Sequence, residues 1–234
     1  MKTLKAGVML LVILFAAMAM VPIVSASDSQ SVNFVKPDRN QIAAQLWGKN
    51  ITQEEFIKNV FPEMYNNASD CQKKAYSSKM MNWLHPKKGN KLQAGTYSED
   101  GQLLTPPSKS SQIIDSNAIA AVVPLTYGSS TISANGRAVY HKSESWVAFP
   151  PYLNIPYIGV ASFLIKDSNG QETVVDTALY SQYWVNNLKA EQTPTVTSSG
   201  NYITEGLHVF QFEPSVCCPN EQSYYTLSNE IYVS

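Results

Sequence analysis

The sequence predicts an α+β protein in which a short N-terminal helical segment packs on an all-β sandwich. Hydrophobic residues make up 44% of the 234 residues and charged residues only 15%, so the chain can build a substantial core. Apolar residues recur at helical spacing before residue 88 and alternate with polar residues after residue 112. Turn residues divide the second region about every 8 to 12 residues, a spacing typical of a β-sandwich.

The charge balance excludes two classes of partner. Seventeen basic residues stand against 18 acidic ones, and removal of a leader that contains two lysines leaves a net charge of −3. Because no basic excess remains, we predict no nucleic-acid partner. The same balance predicts no electrostatic attraction to an acidic membrane surface.

Residues 1–26 have the pattern of a secretory signal peptide. Lys2 and Lys5 form a basic start before the apolar residues 7–21, and the tripeptide Val-Ser-Ala at 24–26 suits signal peptidase. The apolar run of about 15 residues is shorter than the ~20 that a membrane-spanning helix needs. We therefore predict cleavage after residue 26, a secreted or extracellular-surface location, and no membrane insertion after cleavage. An uncleaved anchor is the alternative.

Two sequons agree with export. Asn50-Ile51-Thr52 and Asn67-Ala68-Ser69 both fit the acceptor pattern for N-glycosylation. An attached glycan requires a surface position, so the pattern predicts that Asn50 and Asn67 are exposed.

The chain has three cysteines, Cys71, Cys217 and Cys218. An odd count in a secreted protein leaves a free thiol or an unusual pairing. A bridge from Cys71 to either of the other two would join the helical segment to the sandwich, and it would contribute about 5 kcal/mol by loop-closure entropy. A vicinal disulfide between Cys217 and Cys218, and reduced or intermolecular thiols, are the alternatives.

Residues 27–88 predict three short helices. The first follows Asn40. The second begins at Thr52, with Glu55 three residues later as a capping box, and Pro62 limits it. The third begins at Ser69 and keeps helical spacing of apolar residues until it stops before Pro86.

A linker and a β domain complete the chain. Residues 89–111 are rich in lysine, glycine and serine and show no periodicity, which predicts a linker. Residues 112–234 predict the β-sandwich domain. Asn135-Gly136 and the segment 167–170, Asp-Ser-Asn-Gly, each lie between two strand-like runs and predict hairpin turns.

One motif in this domain resembles a known family. The pattern Thr204-x-Gly206-x-His208-x-Phe210 resembles the corner that leads into the F strand of immunoglobulin-like β-sandwich domains, which usually reads Asp-x-Gly-x-Tyr-x-Cys. His208 replaces the corner tyrosine and Phe210 replaces the cross-sheet cysteine. The resemblance covers the C-terminal ~120 residues only, and it implies two packed sheets. It also implies a recognition or structural module more often than an enzyme.

No standard catalytic or metal motif is present. The sequence contains neither a Gly-x-Ser-x-Gly elbow nor a His-Glu-x-x-His helix, and it predicts no metal and no cofactor. His85 should cap a helix end, His141 should face solvent on a hairpin strand, and His208 should be a buried, hydrogen-bonded corner residue. An extracellular hydrolase with a scattered triad, such as His208 with Asp176 and a serine, stays open as an alternative.

Paired aromatic residues are the candidate binding groups. Tyr183 and Trp184 are adjacent on the longest strand, and Tyr224 and Tyr225 begin the last region of strand pattern. Because neighbours on a strand point to opposite faces, one member of each pair should point outward or under a loop. Exposed rings suit stacking on a sugar or on a protein partner. The alternative is that the helical segment packs over these rings and buries them.

The sequence therefore predicts a secreted, non-enzymatic binding or structural protein of the cell surface. Its partner would be a protein or a glycan, and its ligand-binding residues would be Tyr183, Trp184, Tyr224 and Tyr225. A carbohydrate-binding module that uses exposed aromatic residues is the main alternative, followed by the hydrolase.

Overall fold

The computed structural model describes residues 38–84, 93–104, 124–149, 153–168, 170–213 and 222–234. The predicted signal peptide, His85, Cys217 and Cys218 lie outside these residues. All the elements below belong to one structural unit of the chain.

Between residues 38 and 84 the chain forms four short helices: α1 (Arg39–Leu46), α2 (Gln53–Val60), α3 (Pro62–Asn67) and α4 (Asp70–Ser78). The hydroxyl of Thr52 accepts a hydrogen bond from the backbone N–H of Glu55, and Ser69 forms a complete capping box with Gln72. Pro62 ends α2 as predicted but also begins α3, because the first turn of a helix does not need its missing N–H. Within the described residues, no helix is long and apolar enough to cross a membrane.

The third predicted helix is shorter than expected. It ends at Ser78, and the chain then runs extended to Leu84. The backbone N–H of Met81 donates to the carbonyl of Ile51, and an isolated β-bridge joins Thr52 to Met80. The helical spacing after Ser78 was therefore misleading, because pairing with the segment before α2 satisfies this backbone.

Among the described residues, ten strands follow in chain order: β1 (Gly95–Tyr97), β2 (Leu103–Leu104), β3 (Leu125–Asn135), β4 (Ala138–Phe149), β5 (Ile155–Ser168), β6 (Gln171–Val185), β7 (Asn187–Gln192), β8 (Gly200–Gln211), β9 (Gln222–Leu227) and β10 (Ile231–Val233). The larger sheet has the order β2-β1-β9-β8-β5-β6, with β10 also paired to β8. The smaller sheet has the order β3-β4-β7. All the pairings are antiparallel. The protein is therefore an α+β protein, as predicted.

Both predicted hairpins are confirmed. Asn135 pairs with Ala138, and Gly136 between them has φ of 59°. Ser168 pairs with Gln171 at the second turn, where Gly170 has φ of 85°. Glycine is favoured at both positions because a side chain is disfavoured at positive φ.

Part of the predicted linker contributes to the larger sheet. Strands β1 and β2 lie within residues 89–111, and β1 pairs with β9, where Tyr97 lies opposite Tyr225. A three-residue strand gives little periodicity, so composition alone suggested an irregular segment here.

The helices cover one face of the larger sheet. The ring of Trp83 contacts the ring of Phe56 from the helical segment, and it also contacts the rings of Phe163 and Tyr225 from the sheet. Glu205, which is fully buried on β8, accepts hydrogen bonds from the indole N–H of Trp47 and from the backbone N–H of Leu84. These contacts fix the helical segment to the sheet.

The smaller sheet covers the other face. Val147 and Leu188 from the smaller sheet form a buried cluster with Ile158 and Phe210 from the larger one. The central strands β5 and β8 are thus buried on both faces, which explains why residues 158–165 are apolar with little alternation. The surface left to the larger sheet is mainly its edges.

Candidate binding surface and buried polar residues

Three exposed aromatic residues lie on β6. The exposed fractions are 55% for Tyr180, 39% for Tyr183 and 59% for Trp184. In the described part of the chain β6 pairs only with β5, so it is an edge strand of the larger sheet. Tyr183 and Trp184 were predicted as binding residues, and both are accessible to a ligand.

The ring of Tyr183 is held in place from two sides. Its hydroxyl accepts a hydrogen bond from Nδ2 of Asn67 at 2.6 Å. Its ring meets the buried ring of Tyr157 edge-on, with 4.8 Å between the centroids. A ring that is already fixed loses little conformational entropy when a ligand stacks on it.

Trp184 has an unusual backbone conformation, with φ of 54°. It is the one non-glycine residue with positive φ among those the structure describes, and such a conformation costs on the order of 1–2 kcal/mol. The next residue, Val185, packs against the cluster between the two sheets. The turn at Trp184 therefore returns the strand to the core while the indole stays exposed.

Tyr224 and Tyr225 occupy opposite faces of the larger sheet, and both are buried. Tyr225 lies under the helical segment, where its hydroxyl accepts a hydrogen bond from the backbone N–H of Asn82 and burial raises its pKa. Tyr224 lies between the sheets and stacks on His208, with 5.1 Å between the ring centroids. The sequence argument expected one of the pair to point outward, but other elements cover both faces of this sheet. Neither ring contributes to the exposed aromatic surface.

Two clefts adjoin Tyr180. One, of about 440 Å³, is lined by residues of β6 and of β7, and the other, of about 350 Å³, is lined by residues of β6, α2 and the start of α1. Asn40, Leu179 and Tyr180 line both clefts. Both clefts are widely open to solvent.

His141 is fully buried, which contradicts the prediction that it faces solvent. Its Nδ1 lies 3.0 Å from the hydroxyl oxygen of Ser162, and its Nε2 lies 2.8 Å from Oδ2 of Asp176. On β4, His141 alternates with Tyr140 and Lys142, which face outward. Its own ring therefore points into the interface between the sheets. A polar side chain is stable there since both ring nitrogens have partners.

His208 is a buried, hydrogen-bonded residue, as predicted. Its Nδ1 lies 2.7 Å from the hydroxyl of Ser145, and its Nε2 lies 2.7 Å from the hydroxyl of Thr226. Burial lowers the pKa of the imidazole to about 3, because the charged form would lose its hydration. His208 is therefore neutral at physiological pH.

Two glycines make room for these polar side chains. A Cβ atom at Gly128 would lie 2.6 Å from the ring of His208. A Cβ atom at Gly206 would lie 2.5 Å from the hydroxyl oxygens of Ser130 and Thr226. The space beside Gly128 is thus filled by an imidazole from the larger sheet, and the space beside Gly206 by hydroxyls from both sheets. We call the following group the polar seam: Ser130, His141, Ser143, Ser145, Ser162, Asp176, His208 and Thr226. Ser130 and Asp176 are half-buried, and the other six are buried.

The seam brings together a serine, a histidine and an aspartate, but not those of the suggested triad. Asp176 contacts His141, while His208 contacts only Ser145 and Thr226 among its hydrogen-bonding neighbours in the described residues. Ser162 and His141 have no exposed surface, so a substrate cannot reach the hydroxyl. This geometry suits a structural role better than nucleophilic catalysis, which requires an accessible nucleophile. No sequence signal could reveal the contact of His141 with Asp176, because the two residues lie 35 positions apart on different sheets.

The remaining predicted residues are placed as follows. Asn50 and Asn67 are exposed, and the hydroxyls of Thr52 and Ser69 in the two sequons cap helices. Cys71 lies in the first turn of α4, whereas Cys217 and Cys218 lie outside the described residues. Across the described ranges, no three His, Cys, Asp or Glu side chains lie close enough to hold a metal ion.

Comparison with known proteins adds no relative: no family model matches this chain, and no curated protein matches it either.

Proposed function

We propose that this chain is a secreted, non-enzymatic binding protein with an immunoglobulin-like sandwich, and that it binds its ligand through the exposed aromatic edge of β6. The observation that carries the proposal is the exposure of Tyr180, Tyr183 and Trp184 on one edge strand. Large exposed aromatic groups are uncommon on a surface that binds nothing, because they leave apolar area in water.

The order of the strands supports the immunoglobulin-like part of the proposal. If β3 is taken as the first strand, the first, second and fifth strands (β3, β4 and β7) form the smaller sheet. The third, sixth and seventh strands (β5, β8 and β9) lie side by side in the larger sheet. Immunoglobulin-like sandwiches divide these strands in the same way, as A-B-E and C-F-G. The fourth strand, β6, differs. It pairs with the third strand, β5, whereas the fourth strand of constant-type domains pairs with the fifth. His208 and Phe210 lie on β8, the sixth strand, which corresponds to strand F.

The conformation of Trp184 supports a binding role for this edge. A strained backbone persists only when the surroundings hold it, and such strain is concentrated at functional sites. Here the strain holds an indole in solvent, although an exposed tryptophan contributes nothing to the core. Stacking on a ligand would account for a residue of this kind at this position.

A disulfide from Cys71 to Cys217 or Cys218 is part of the proposal. Cys71 lies in the first turn of α4. The side chain of its neighbour Gln72 donates a hydrogen bond to the carbonyl of Phe212 at 3.0 Å. Phe212 precedes Cys217 by five residues, so the end of β8 leads the chain toward α4. A disulfide fits export, because oxidising compartments preserve it.

The two exposed sequons are also consistent with export. In the chain without a glycan, Nδ2 of Asn67 donates hydrogen bonds to the carbonyl of Glu63 and to the hydroxyl of Tyr183. A glycan on this nitrogen would leave it one N–H, so only one of the two bonds would remain. Glycosylation at Asn67 would therefore place a sugar beside the proposed binding surface.

Binding by the processed chain tests the proposal. Labelled protein that begins at residue 27 is applied to intact cells of its source and to the fluid around them, and binding is titrated. We expect Trp184→Ala and Tyr183→Ala each to weaken binding about tenfold or more, as the loss of a central aromatic contact does. Tyr232→Ala is the matched control, because Tyr232 is 70% exposed but lies on β10, away from β6. Unchanged binding by both variants on β6 would refute the proposal.

A further inference from the structure

The cleft between β6 and β7 has an apolar floor and an aromatic wall. Ala178, Leu188 and Ala190 form its floor, and each is less than 5% exposed. The ring of Tyr180 stands at its side with more than half of its surface accessible. The rest of the cleft's lining on β7 is polar: Asn187, Lys189, Glu191 and Gln192.

Tyr180 also borders the second cleft, on the side of the helices. Leu179 and Tyr180 are shared by both clefts, and so is Asn40 from the first turn of α1. The two clefts are therefore neighbours, with Tyr180 and Asn40 at the boundary that they share. A side-chain amide has both hydrogen-bond donors and an acceptor, as a group that binds hydroxyls requires.

The charged residues that line the clefts already have partners. Asp38 accepts a hydrogen bond from the backbone N–H of Asn40 at 3.0 Å. Arg39 donates to Oε2 of Glu63 at 2.9 Å, and Nζ of Lys189 lies 2.9 Å from Glu191. The carboxylate of Glu191 also accepts a hydrogen bond from the hydroxyl of Tyr140. These pairs are partly exposed, and an ionic ligand would have to displace one of the partners. A neutral ligand leaves all of them in place and therefore fits the site better.

Addition of an extended peptide to the strand edges is disfavoured at this position. The first turn of α1 lies against β6 beside Leu179 and Tyr180, where an added strand would have to pair. The free edge of β7 carries Lys189 and Glu191, and charged side chains on an edge strand discourage pairing.

A proline-rich peptide is also disfavoured, because it needs several aromatic rings on one side of the protein. Tyr180 and Tyr183 lie opposite Val160 and Tyr157, which face different layers of the protein.

We infer that the two clefts at Tyr180 bind consecutive rings of a neutral oligosaccharide, an inference that rests on the proposed function and names its ligand class. The apolar face of one sugar ring stacks on Tyr180. Hydroxyl groups at the junction of two rings bind the amide of Asn40. Tyr183 and Trp184, the rings to which the proposed function assigns binding, lie three and four residues farther along the same strand.

The test titrates the processed chain with cello-, xylo-, manno- and chito-oligosaccharides of one to six rings, after a glycan array has been screened. We expect one neutral series to bind, with an affinity that rises at least about fivefold between one ring and three as the second cleft fills. Tyr180→Ala should lower the affinity about tenfold, and Asn40→Ala should lower it less. Tyr232→Ala should bind as the wild type does, and circular dichroism checks that each variant is folded.

Three results would overturn the inference: no neutral glycan bound on the array or in the titrations, binding of anionic glycans alone, or wild-type affinity in folded Tyr180→Ala. The last result would leave the proposed function standing if Trp184→Ala still abolished binding to cells. A cell ligand destroyed by protease but not by periodate would likewise point to a protein partner on the same edge and reject the oligosaccharide. Wild-type binding to cells by Tyr183→Ala and Trp184→Ala would instead reject the proposed function itself.

Discussion

The stability of the fold should fall in mild acid because His208 stays neutral in the folded state. Its pKa is about 3 in the folded protein and 6.5 in a solvated chain. Between these values the unfolded chain binds a proton that the folded chain rejects. The free energy of unfolding therefore decreases as the pH falls, by about 1.4 kcal/mol for each pH unit in this window. The stabilisation is fully present above pH 6.5, the unfolded value.

Replacement of His208 by glutamine isolates this contribution. At pH 5.0 the contribution of His208 to the free energy of unfolding should be about 2 kcal/mol smaller than at pH 7.0. This is a large part of a typical total of about 5–15 kcal/mol. His208→Gln should lower stability at both pH values. Because it removes the titrating group, it should also remove the loss of stability between pH 7.0 and 5.0 that His208 causes. Urea unfolding at pH 7.0 and 5.0, followed by tryptophan fluorescence, measures both effects in the same series.

The matched control is Ser145→Ala. It removes one hydrogen bond to His208 but keeps the imidazole buried, and burial is the cause of the lowered pKa. We expect it to cost about 1 kcal/mol at both pH values with the wild-type pH dependence. Contributions from other titrating groups are common to all three proteins and cancel in the comparison. If His208→Gln kept the full wild-type loss between pH 7.0 and 5.0, the imidazole would not be isolated from water and the argument would fail.

Three further predictions concern single positions. Gly206→Ala should destabilise the fold by about 1–3 kcal/mol in urea unfolding, because its Cβ would collide with Ser130 and Thr226. Gly136→Asn is the control, and it should change the stability by less because this turn is open. Trp184→Gly should be more stable than Trp184→Ala by about 1 kcal/mol, since glycine accepts positive φ, and equal stabilities would show that the backbone is unstrained in solution. Non-reducing peptide mapping should find Cys71 joined to Cys217 or Cys218, whereas alkylation of Cys71 in the intact protein would exclude the bridge.

Features set by neighbouring residues were predictable from the sequence. The turn at Asn135-Gly136 needs only residues that tolerate positive φ, and the capping box at Ser69 needs only Gln72 three positions later. The alternation of His208 with apolar residues correctly placed its ring in the interior. In each case the physical cause lies within a few residues of the motif.

Features set by distant partners were not predictable. His141 has the polar residue pattern of a solvent-facing position, but Ser162 and Asp176 satisfy its ring from another sheet. Tyr224 and Tyr225 look like a half-exposed pair, yet the helical segment and the smaller sheet each cover one of them. The two clefts at the β6 edge combine α1 with β7, which lie about 150 residues apart in the chain. Sequence periodicity shows which residues share a face, but not what packs on that face.

The same double coverage explains where a ligand can bind. A two-sheet protein with one bare face could present a binding surface on that face, but here the larger sheet is covered by helices on one side and by strands on the other. The polar seam shows that even hydrophilic groups between the sheets are sealed, because Ser162, His141 and His208 have no exposed surface. Recognition by this sheet must therefore use its edges. Of these, β6 is the long edge strand that keeps three aromatic rings in solvent, one of them against the preference of its own backbone. The proposed function gives this exposure a role, because stacking on a ligand would cover the rings.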